Sequence, residues 1–63
     1  MRNMERIRKA RKISRAALGE MVHINPVTIA KYEKGKVEPG LMNALKIADA
    51  LGVDVKELVK EGA

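Results

Sequence analysis

Apolar positions along this chain recur mainly at spacings of three and four, the period of an amphipathic helix. Five segments carry that period, and helices are expected at about residues 4–12, 15–22, 26–34, 41–51 and 55–60. In the first, Asn3 stands where a cap belongs. Met4, Ile7, Ala10 and Arg11 then share the inner side, so an arginine, either Arg8 or Arg11, is expected to border the core. Ser14 is a second cap signal, followed by a segment with Ala17, Leu18, Met21 and Val22 apolar. Gly19 in its middle costs about 1 kcal/mol relative to alanine, which predicts a close approach by another helix at that point.

Only His23 and Ile24 separate this segment from Asn25, so a tight turn is expected there. The stretch Asn25 to Gly35 has both of its ends marked. Asn25 can accept from a backbone N–H two or three residues on, and Pro26 falls at the first helical position, where its missing N–H does no harm. Gly35 takes the left-handed conformation that closes a helix. Between them Ile29 and Tyr32 share an inner face, leaving Val27, Thr28, Lys31 and Lys34 outward. So short a helix needs neighbours to hold it. After Pro39 and Gly40, Leu41, Ala44, Leu45, Ala48 and Leu51 are in register on one face, and Gly52 ends that helix. Asp54 to Glu57 forms a capping-box pattern ahead of Val55, Leu58 and Val59.

Sixty-three residues make one domain, residues 1–63, of all-α class. With one Tyr and no Phe, Trp or Cys, the core must be aliphatic and no disulfide can staple it. No apolar run approaches the roughly 18 residues of a membrane span, and no secretory h-region is present. A soluble, cytoplasmic protein with no membrane partner is expected. The net charge of +5 is uneven: from Met1 to Arg15 seven cations face Glu5 alone, a net of +6, whereas six lysines and seven acids follow. A basic pole of this kind suits a polyanion, although a solvated helix face accounts for a charge run equally well.

Three blocks carry a family resemblance across Met4 to Val59: I-R-K-A-R-K-I-S-R-A-A-L-G, then I-A-K-Y-E-K-G-K, then P-G-L-M-N-A-L-K-I-A-D-A-L-G-V-D-V-K-E-L. The sequence resembles the helix-turn-helix domains of the phage Cro and repressor family, also called the xenobiotic-response-element family. That resemblance implies a compact five-helix, lambda-repressor-like fold with the second and third helices as the DNA-binding pair. It implies sequence-specific binding of double-stranded DNA, a role as transcriptional repressor or regulator, and a homodimer on a near-palindromic operator. The dimer is expected to be weak alone and to assemble on DNA.

Residue by residue, the resemblance pairs Arg8 with Glu33 as a structural ion pair. It puts Arg15, where the family often has glutamine, at a phosphate, a role arginine fills well. Pro26, Val27, Thr28 and Lys31 take the base-facing positions, Lys34 and Lys36 the phosphate-contacting ones, and Val55, Lys56 and Glu57 the possible dimer contact. Three residues depart from the pattern: Pro26 offers a base no donor, His23 replaces the usual turn glycine, and Gly19 the usual alanine. The turn needs φ > 0, which histidine adopts more readily than most residues. A lone histidine without cysteine is a poor metal ligand, so neither metal nor cofactor is expected. The methionines read as core filler except Met42, and Lys46, Asp49 and Lys60 as a solvated face.

No Gly-rich phosphate loop, H-E-x-x-H or paired nucleophile is present, and the chain is too short to enclose a pocket, so no enzyme is expected. The alternative is a protein-binding module on the same fold, of antitoxin or bridging-factor type, with weak or no DNA binding. The missing donor at Pro26 favours that alternative; Arg15, Lys34 and Lys36 favour DNA.

Overall fold

The computed structural model describes residues 1–59, and of Arg2 the backbone alone. Within them run five helices, α1 (Arg2–Ala10), α2 (Arg15–Val22), α3 (Pro26–Glu33), α4 (Leu41–Leu51) and α5 (Val55–Val59). The expected extension of the last helix to Lys60 lies outside the described residues. α1 packs on α5 and α3, α2 on α3 and α4, and α4 on α5. Met4, Leu18, Ile29, Ile47, Leu51 and Leu58 meet at the centre, fully buried. This is the lambda-repressor-like arrangement, with α3 held on its inner side by both α1 and α2.

α1 differs from expectation at both ends. Asn3 lies inside the helix and does not cap it. It is buried, its amide donates to the Glu57 carbonyl oxygen of α5, and its side-chain oxygen accepts from Arg6 Nε at 2.8 Å. A buried amide needs such partners, and here they tie the two helices together. The helix stops at Ala10 because Lys12 turns left-handed, at φ 57°. The Lys12 N–H then donates to the Lys9 carbonyl at 2.9 Å and the Ile13 N–H to the Arg8 carbonyl at 3.3 Å, the Schellman pattern formed without glycine. The inner stripe runs through Met1, Met4 and Arg8, while Ala10 and Arg11, expected inside, are exposed.

The next two helices are closed by local chemistry. Ser14 Oγ accepts from the Ala17 N–H at 3.0 Å, and Asn25 Oδ1 from the Val27 N–H at 2.8 Å. His23 takes φ 58°, ψ 44° at the turn. A Cβ on Gly19 would lie 2.5 Å from the Ile24 carbonyl oxygen and 3.4 Å from the Pro26 ring. The close approach expected at Gly19 is therefore made first by the turn's own backbone, and only then by α3. Met21, read as core filler, is 52% exposed.

α4 presents a different face from the one in register on sequence. Ala44, Ile47, Ala48 and Leu51 are buried, whereas Leu41 is 72% exposed and Leu45 42%. Two apolar stripes compete on this helix. Packing against α2 and α5 selects the one centred on Ile47, which turns Leu41, Met42 and Leu45 outward.

Candidate nucleic-acid interface

α3 divides cleanly between its two sides. Ile29, Tyr32 and Glu33 are buried; Pro26, Val27 and Lys31 are exposed, with Val27 at 63%, and Thr28 is half-buried. Glu33 is the only acid between Pro26 and Lys36, and it points inward, so every charge that this stretch shows to solvent is positive. Beyond the helix Gly35 adopts φ 75°, the Gly35 N–H donates to the Tyr32 carbonyl at 3.2 Å, and the Lys36 N–H to the Lys31 carbonyl at 3.0 Å. This closure holds the exposed Lys34 and Lys36 at the end of the same helix.

The Glu33 carboxylate joins three helices. Arg8 Nε donates to its Oε2 at 2.6 Å, and Arg15 Nε to its Oε1 at 2.9 Å. Arg8 also donates to the Ile13 carbonyl oxygen at 2.8 Å, which fixes the link between α1 and α2. Arg15 Nη2 reaches Glu5 Oε2 at 3.2 Å, and Lys9 Nζ lies 3.4 Å from the same oxygen. The Arg15 guanidinium is pushed above its ordinary pKa, first by the hydrogen bond to Glu33 and then by that residue's charge, so it is a fixed cation. Arg8 and Glu33 thus meet as a buried pair. The ties of Arg15 to Glu33 and Glu5 carry no signal in helix periodicity, because they join residues 18 and 10 positions apart.

Of the residues singled out for dimer contact, Lys56 and Glu57 are exposed, while Val55 is half-buried against the protein's own core. Lys56 N–H donates to Asp54 Oδ1 at 2.9 Å, starting α5. His23 is exposed, and the described residues contain no group of three His, Cys, Asp or Glu able to hold a metal. No helix among them is long and apolar enough to cross a membrane.

Five helices, a left-handed turn between α2 and α3, and an α3 propped from behind with an exposed outer side define a helix-turn-helix domain of the Cro/repressor type. The chain belongs to that family: residues 4–58 match the helix-turn-helix family model. It is similar to repressor protein C2 of Salmonella phage P22, at 41% identity over 59 residues that cover 89% of this chain; it spans 27% of that repressor's length. It is also similar in structure to the P22 c2 repressor crystallised in complex with a synthetic operator in the presence of Tl+. The TM-score there is 0.83 at 38% identity, covering 95% of this chain and 96% of the other.

Proposed function

We propose that this protein binds double-stranded DNA sequence-specifically as a transcriptional repressor or regulator, inside the cell, by inserting α3 into the major groove. The observation that carries this reading is the outer side of α3, which is free of acid, in a chain whose fold is similar to that of a repressor crystallised with a synthetic operator. Val27 makes apolar contact with a thymine methyl, Lys31 reaches a guanine O6 or N7, and Thr28 offers a hydroxyl; Pro26 contributes shape alone. Lys34 and Lys36 beyond α3, and Arg15 at the start of α2, take phosphates and set the register. The role is binding, with no catalytic step.

Two copies meet through Val55, Lys56 and Glu57 and place their α3 helices in successive major-groove turns, roughly 34 Å apart, on a near-palindromic operator. With Val55 half-buried and Lys56 and Glu57 charged, that contact offers little apolar area, so the two copies come together on DNA. One observation favours a second reading as a protein-binding module: Leu41, Met42 and Leu45 stand exposed together at the start of α4. Selection of bound sites from a random duplex library tests the proposal. Recovery of a near-palindromic sequence carrying two chains per duplex is expected, and no enrichment over the starting library would contradict it.

A further inference from the structure

Arg15 is assigned to a phosphate, yet in the free protein its guanidinium is already held at two of its three nitrogens. Nε is given to buried Glu33 and Nη2 to Glu5, at 2.9 and 3.2 Å. The two acids are not equivalent. The Glu33 side chain is 0% exposed and shared with Arg8, so it stays with the fold; the Glu5 side chain is 37% exposed and can swing into water. Glu5 is also the only acid among the first fifteen residues, and it sits against Arg15 and Lys9, two of the seven cations there.

We propose that Glu5 limits the affinity of this protein for DNA by occupying the solvent-side arm of Arg15, so that a backbone phosphate must displace it. The inference rests on the DNA-binding reading given above. Glu33 holds Arg15 Nε in either state and acts as the positioning group. Glu5 and a phosphodiester compete for Nη2 as acceptors of the same charge. Because an exposed ion pair is weak, the phosphate wins, but the lost pair subtracts from every complex irrespective of sequence. The lone acid of the basic pole thereby restrains the sequence-independent part of the binding, leaving discrimination between sites to α3.

The test is Glu5→Gln, which keeps the size and an acceptor oxygen but removes the charge, measured on the selected operator and on random duplex at low salt. Tighter binding by about two- to fivefold on both duplexes alike is expected. Bare removal of an acid near a polyanion also tightens binding, so the substitution is repeated in an Arg15→Gln background, where Glu33 keeps Arg8 as its partner. Most of the gain disappears there, whereas in a Lys36→Ala background it survives in full. A gain of equal size with and without Arg15, or weaker binding by Glu5→Gln, overturns the inference while leaving the DNA-binding reading intact. A parent protein that binds neither duplex overturns both.

Discussion

Arg8 and Glu33 form a buried pair 2.6 Å apart, and the partner on α3 is the residue that ends that helix. The pair therefore fixes the tilt of α3 against α1 from its far end, while Asn25 and Pro26 fix the near end. Glu33 makes a second tie to Arg15, and no buried side-chain nitrogen or oxygen among the described residues lacks a partner. Glu33→Ala removes the acceptor from under two guanidiniums and leaves Arg8 buried without its counter-charge. Breaking such a pair costs about 3–5 kcal/mol. At roughly 0.05–0.15 kcal/mol per residue, a domain of this size has about 3–9 kcal/mol in total. Glu33→Ala is expected to lose a large share of that margin and to melt well over ten degrees below the parent, at roughly 4–8 °C per kcal/mol; a cooperative melt within a few degrees of the parent would show the pair to be dispensable.

Gly19→Ala addresses the turn between α2 and α3. Alanine is the better helix former by about 1 kcal/mol, so on propensity alone the substitution stabilises. The added methyl, however, meets the Ile24 carbonyl oxygen at 2.5 Å, and that atom is backbone held by its own turn. Forcing the turn aside costs about 1–3 kcal/mol or more and should outweigh the propensity gain. The melting temperature should fall by several degrees, given roughly 4–8 °C per kcal/mol for a domain of this size. An unchanged or higher value would mean that the turn yields freely.

The ends of α3 were legible in the sequence because their causes are local: a capping Asn25, a proline in the first turn, and a glycine that accepts φ 75°. Helix spacing alone leaves the buried arginine open between Arg8 and Arg11; the resemblance chooses Arg8 by pairing it with Glu33, and that pair is the one the fold buries. On α4 two stripes satisfied the same period, and Ile47 won over Leu41 and Leu45 through contacts with helices far along the chain. Asn3 was misassigned for a related reason. Its type suits a cap, but its partner lies 54 residues away. Arg15 was assigned from resemblance alone, and its carboxylate partners became visible only when three helices were brought together.

Lys12 offers a test of backbone chemistry that leaves α3 untouched. α3 and α4 end on glycines with positive φ, whereas α1 ends on a lysine at φ 57°. The left-handed conformation costs a non-glycine residue about 1–2 kcal/mol. Lys12→Gly removes that cost but adds freedom to the unfolded chain worth about 0.4–1 kcal/mol. A small net gain remains, to be read as a rise of a few degrees in the melting temperature. A clear fall would show that the lysine side chain contributes more to the fold than its strained backbone subtracts.

The claim that α3 reads bases while its flank holds phosphates is tested most directly by comparing Lys31→Ala with Lys36→Ala on the selected operator and on random duplex across a salt series. Lys31→Ala should cost about 1–3 kcal/mol on the operator and relax preference at one base pair, whereas Lys36→Ala should weaken all duplexes alike. Each lost phosphate contact flattens the plot of log affinity against log salt by about 0.9, so Lys36→Ala in both copies should flatten it by about two units. Val27→Ala should leave that slope unchanged. If Lys31→Ala and Lys36→Ala instead give the same loss on operator and random duplex and the same change in slope, Lys31 is a phosphate ligand and α3 does not read sequence through it.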